Sequence, residues 1–119
     1  MYKVKEYFVC ELNNLKSLEG SPEEIEVSFY CAHNKLTSLK GGPKIVGSHY
    51  DVSHNELISL KGAPEIIHGS FACSNNKLET LDGCPKEVKG NFLCFNNKKK
   101  FTEEVRKLCK VGGKIINFY

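Results

Sequence analysis

The 119-residue chain is 40% hydrophobic and 26% charged, ordinary globular usage that excludes a disordered chain and fits a single domain. Apolar runs reach four residues at most, far short of a membrane-spanning helix. The net charge of +3 is too small to mark a strongly basic nucleic-acid binder, but it is unevenly spread. Residues 1–85 carry eight basic and eleven acidic side chains, and residues 86–119 carry nine and three.

At the N-terminus, residues 1–9 read as a capping strand, with Lys3, Lys5 and Glu6 moderating its free edge. The segment has no apolar leader-like stretch, so the six cysteines are expected to be reduced in a cytosol-like, cytoplasmic setting. From residue 10 to residue 100 the chain repeats itself every 21 positions. Asn13, Asn34, Asn55, Asn76 and Asn97 mark the step. So do four Leu pairs (Leu15 with Leu18, Leu36 with Leu39, Leu57 with Leu60, Leu78 with Leu81) and a Gly-x-Pro column beginning at Gly20, Gly41, Gly62 and Gly83. An aromatic column, Phe8, Phe29, Tyr50, Phe71 and Phe92, is followed two residues later by Cys10, Cys31, Val52, Cys73 and Cys94. Such columns in register signal a repeat architecture.

Each column has a physical task. The aromatic and the Cys or Val alternate on one face of a short strand and point inward. The Asn serves a turn, where its side chain satisfies backbone groups left unpaired. Gly-x-Pro breaks any helix and steers an extended, turn or 3₁₀ return. Ile25, Val46, Ile67 and Val88 supply a further inward column. Residues 101–119 break the pattern. Thr102 reads as an N-cap with Glu103 and Glu104 behind it and Lys107 and Lys110 in the last turn. Phe101, Val105, Leu108 and Cys109 fall on one helical face. The glycines at 112 and 113 end the helix, and residues 114–119 read as a last strand, with Ile115 placed 21 residues after Cys94.

The unit, aromatic-x-Cys-x-x-Asn-x-Leu-x-x-Leu-x-Gly-x-Pro, resembles the leucine-rich repeat over roughly residues 7–100. The aromatic and Cys take two of that motif's Leu positions, while Glu26, Gly47, His68 and Lys89 depart from its first Leu. The resemblance implies a mostly β, α/β repeat solenoid: a single leucine-rich repeat domain of about five repeats, with a parallel sheet on its concave face, a C-terminal capping helix and a final strand. Together with the Phe-Thr-Glu-Glu-Val-Arg segment, the repeat is similar to small leucine-rich repeat proteins encoded by tailed bacteriophages. That similarity implies a viral, non-catalytic modulator or inhibitor of a host protein, such as a defence enzyme, acting in the host cytoplasm.

Alternation leaves four columns for the exposed concave face: Tyr7, Ser28, His49, Ser70 and Asn91; Val9, Tyr30, Asp51, Ala72 and Leu93; Glu11, Ala32, Ser53, Ser74 and Phe95; Leu12, His33, His54, Asn75 and Asn96. These positions vary between repeats while the frame does not, as a partner-specific surface would. Tyr7, Val9, Tyr30, Leu93 and Phe95 are candidate contact anchors, with His33, His49, Asp51 and His54 as polar neighbours; Leu93 and Phe95 are alternatively covered by the C-terminal segment. Lys98, Lys99, Lys100, Arg106, Lys107 and Lys110 form a basic patch for nucleic acid or an acidic protein, the alternative to a protein partner. Self-association, acidic start to basic end, is open.

Catalysis and metal binding find less support. The inward Cys column forms a straight ladder that cannot surround a tetrahedral ion, so core packing is favoured over zinc or disulfides for it, and likewise for Cys84 and Cys109. His33, His49 and His54 lack a thiol or carboxylate to complete a shell. Ser70, His49 and Asp51 suggest a hydrolase triad without an oxyanion hole or sheltered pocket. No cofactor, metal or membrane partner is expected.

Overall fold

In the computed structural model, residues 3–117 are described. The elements run β1 (Lys3–Val4), β2 (Phe8–Val9), β3 (Glu24–Ile25), β4 (Phe29–Tyr30), β5 (Ile45–Val46), β6 (Tyr50–Asp51), β7 (Ile66–Ile67), β8 (Phe71–Ala72), β9 (Glu87–Val88), β10 (Phe92–Leu93), α1 (Thr102–Leu108), β11 (Lys110–Val111) and β12 (Ile115–Ile116). The odd-numbered strands form one six-stranded parallel sheet and the even-numbered strands a second, each in coil order. The molecule is a mostly β parallel solenoid of about five turns of roughly 21 residues.

Each strand is two residues long because the chain must turn a corner between the sheets. Bends at 26–27, 47–48, 68–69 and 89–90 separate the two strands of a coil. One residue of each strand faces the interior: Ile25 and Phe29 in one coil, Val46 and Tyr50 in the next, both fully buried. The register follows the 21-residue step, Phe8↔Phe29, Phe29↔Tyr50, Tyr50↔Phe71 and Phe71↔Phe92. The aromatic column therefore becomes a stack with centroid spacings of 5.0–5.8 Å. Such ring pairs contribute about 0.5–1.5 kcal/mol each beyond burial. The first sheet, where a turn, 3₁₀ or extended return was expected, is a correction. It forms because Ile25, Val46, Ile67 and Val88 stack in register as the aromatics do.

The Asn column performs the task read from the sequence. Asn55 Nδ2 donates to the Cys31, Val52 and Ser53 carbonyls at 3.1–3.3 Å, and its Oδ1 accepts from the Leu36 N–H at 2.9 Å. Asn34 and Asn76 repeat the pattern. A further column, Ser17, Ser38, Ser59 and Thr80, accepts at its hydroxyl from the backbone N–H two residues on. It shapes the third side of each coil before the positive-φ glycine turn at Gly20, Gly41, Gly62 or Gly83.

Several expectations are corrected. The first nine residues are not one strand: a bend separates β1 from β2, so the segment follows the same corner as later coils. The N-cap of α1 is Phe101, not Thr102, and Lys110 belongs to β11. Phe101 and Val105 are buried, but Leu108 is 54% exposed. Ile115 pairs with Phe92 rather than following Cys94 by one coil. A helix rises about 1.5 Å per residue against 3.3 Å for extended chain, so the coil holding α1 needs two extra residues to reach the same register. Met1, Tyr2, Phe118 and Tyr119 lie outside the described residues. Finally, Cys10 and Cys31 are joined by a disulfide with a Cα–Cα distance of 4.8 Å. Side chains one rung apart in a parallel ladder come within bonding reach, so that pair is neither reduced nor mere packing.

Candidate functional site

Among the described residues, five coils leave the second sheet through a residue in the left-handed region: Leu12, His33, His54, Asn75 and Asn96, with φ of 56–60°. This conformation suits Asn and His and turns their side chains away from the interior. The result is an exposed ladder along the stack. The His33 and His54 rings stack at 4.2 Å and 10°. Asn75 Nδ2 lies 3.2 Å from His54 Nε2, and Asn96 donates to Asn75 Oδ1. Beside it runs the outward column of the second sheet. Val9 is 63% exposed, Tyr7 is 58% exposed, and the Tyr7 and Tyr30 rings stack at 6.0 Å and 18°. Asp51 and Leu93 are half-buried in the same column, and Phe95 is half-buried beyond it. Tyr7, Val9, Tyr30, His33, Asp51, His54, Leu93 and Phe95 thus fall on one continuous face.

His49 does not share that role. Its column lies in the corner between the sheets and serves the backbone. Ser28 Oγ accepts from the His49 N–H, His49 Nδ1 from the Ser70 N–H, Ser70 Oγ from the Asn91 N–H, and Asn91 Oδ1 from the Lys114 N–H, at 2.9–3.0 Å. Alternation fails here because the strands are too short to carry it through the bend. Ser28 is buried, and so are Ala32 and Ser74, all expected to be exposed. Ser74 Oγ likewise accepts from the Phe95 N–H at 3.1 Å. The suggested Ser70, His49 and Asp51 grouping is dispersed among other partners, Asp51 Oδ1 accepting from the Ser53 hydroxyl at 2.6 Å. Among the described residues, no three His, Cys, Asp or Glu side chains converge as a metal shell would require.

The basic residues divide around two depressions at the C-terminal end. Lys98, Lys99 and Lys100 border one of about 170 Å³ with Asn96, Asn97 and Asn117, and Lys99 Nζ sits 5.4 Å from the Phe101 ring centroid. Arg106, Lys110 and Lys114 border another of about 630 Å³ with Cys109, Val111 and Ile115. Arg106 is paired with Glu103 at 2.9 Å, and Lys107 is exposed. Sequence reasoning missed a groove of about 700 Å³ on the first sheet, lined by Lys44, Ile45, Pro64, Glu65, Ile66 and His68. Its signal was the outward isoleucine pair of β5 and β7, 48% and 41% exposed, in a column whose flanking members are Glu24 and Glu87.

Among the described residues no helix is long and apolar enough to cross a membrane. No protein-family model matches the chain, and neither the curated proteins nor the solved structures contain a significant match.

Proposed function

We propose that this solenoid is a non-catalytic binding module that grips another protein with the outward face of its second sheet and the adjoining left-handed ladder. The observation that carries the reading is the exposed run of stacked aromatic, imidazole and amide side chains, Tyr7 on Tyr30 and His33 on His54, continued by Asn75 and Asn96. Rings already stacked lose little side-chain freedom on binding, and Tyr in a polar surround is the usual anchor of an interface. The repeat pattern supports a leucine-rich repeat lineage, with α1 as the cap that shields the last coil. Its similarity to small phage-encoded repeat proteins supports a host protein as the partner, held or inhibited by this face.

A partner isolated by affinity capture from host lysate, then titrated against purified variants, tests the reading. Tyr30→Ala, or His33→Ala with His54→Ala, weakens binding by about 2 kcal/mol, roughly a 30-fold rise in Kd, while the thermal unfolding midpoint holds. Unchanged affinity in both variants removes the face from the interface. The cations around the two C-terminal depressions favour a second reading, contact with nucleic acid or an acidic surface. In that case replacing Lys98, Lys99 and Lys100 with Ala abolishes binding, and affinity falls steeply with salt.

A further inference from the structure

We propose that all six cysteines form three disulfide pairs, Cys10–Cys31, Cys73–Cys94 and Cys84–Cys109, which staple the first two coils, two later coils and the helical segment. The first bond is in place, its Cα atoms 4.8 Å apart, within the span a disulfide requires. Cys73 and Cys94 are free thiols in this structure, but they occupy the same place in the ladder. Each lies two residues beyond a registered pair, Phe71↔Phe92 as against Phe8↔Phe29. The same ladder bond fixes both pairs: the Cys10 N–H donates to the Tyr30 carbonyl and the Cys73 N–H to the Leu93 carbonyl, each at 2.8 Å. A spacing that admits the first bond therefore admits the second.

The third pair joins the repeat to the segment after α1. Lys110 pairs with Glu87, and the Lys110 N–H donates to the Lys86 carbonyl at 2.9 Å, which sets Cys109 opposite Lys86, two residues along the chain from Cys84. The two cysteines are free thiols that perturb each other: Cys84 holds Cys109 below the ordinary thiol value, and Cys109, together with burial, pushes Cys84 above it.

Placement argues for pairing over packing. In the inward column Val52 separates Cys31 from Cys73, dividing four cysteines into two exclusive couples. At the position of Cys84, earlier coils carry Ser21, Gly42 and Ala63. Cysteine occurs there only in the coil that meets Cys109.

The chemistry is exchange with a small disulfide such as oxidised glutathione. One cysteine thiolate attacks it, breaking the S–S bond and releasing one small thiol. The second cysteine then attacks the mixed disulfide and releases the other. Two cysteine thiols are oxidised, one small disulfide is reduced to two thiols, and the two protons end on those thiols. Cys73 and Cys94 are fully buried, so their bond closes during folding, before the core seals.

The test is to reduce and unfold the full chain, refold it with oxidised glutathione, and map linked peptides by mass spectrometry without reduction. The expected product is about 6 Da lighter than the reduced chain, two hydrogens per bond, and contains the three named links. Free thiols at Cys73, Cys94, Cys84 or Cys109 after unfolding in a maleimide overturn the proposal, as do links that cross the three pairs. Val52→Cys provides a second arm. The new thiol competes for Cys31 and Cys73 and yields mixed links, and absence of any such link overturns the ladder argument.

Discussion

Tyr50 occupies the middle of a column otherwise filled by Phe8, Phe29, Phe71 and Phe92, and its hydroxyl is buried without a hydrogen-bond partner. Burial pushes its phenol well above the ordinary value of 10.0. Removing an unsatisfied buried group while keeping the ring relieves its desolvation, so Tyr50→Phe is expected to stabilise the fold by about 1 kcal/mol, read as a higher urea midpoint. The sign of the pH effect follows. With its folded-state value raised, Tyr50 leaves stability intact below about pH 10, and stability falls as the pH climbs above it because only the unfolded phenol ionises there. Tyr50→Phe should lack that part of the alkaline loss, and identical alkaline profiles would contradict the buried hydroxyl. At this scale the frame was readable because one residue type recurs at each step. The corner column was not: Ser28, His49, Ser70 and Asn91 share only an acceptor atom, and no single identity announces it.

Among the elements, the glycine turns differ in what surrounds them. Gly20 and Gly62 both have positive φ, but a Cβ on Gly20 meets nothing within 4 Å, whereas one on Gly62 lies 2.4 Å from the Leu39 carbonyl carbon. Gly20→Ala should therefore cost about 1 kcal/mol, the conformational strain alone. Gly62→Ala should cost more than about 2 kcal/mol, because backbone of the neighbouring coil must also move. Equal losses in denaturant titrations would show that the turns do not press on the coil below. The parallel strands and helix α1 were legible from periodicity. The first sheet was not, because two-residue strands are too short to display alternation. The displaced register of β12 was hidden for a related reason, since equal residue counts do not span equal lengths once a helix intervenes.

Across the whole molecule, sequence order is spatial order, and each coil touches only its neighbours, as in any repeat stack. The charge imbalance between residues 1–85 and 86–119 thereby becomes a polarity along the stack. Burial is deepest in the middle: Val46, Val52, Leu57 and Leu60 are wholly enclosed, whereas Val4, Phe8, Cys10 and Leu15 are only partly covered. Opening should begin at an end, so amide hydrogen exchange is expected slowest around residues 50–60 and faster toward both termini. Uniform protection along the chain would mean the stack opens as one unit. The outward face of the second sheet was half legible for the same geometric reason. Outward positions on straight segments follow from the inward ones, but positions on corners depend on how tightly the chain bends.

The self-matching Asn turn has a consequence for how such a chain can change over generations. Each interior Asn bonds to backbone groups of its own coil and of the coil before, so any coil presents the same docking surface above and below. Duplicating or deleting one 21-residue block would leave those junctions intact and lengthen or shorten the exposed ladder by a single step. The gene can adjust the reach of its product in whole modules, whereas an insertion of another size keeps the bonds across the seam only if the chain changes its path, as it does through α1.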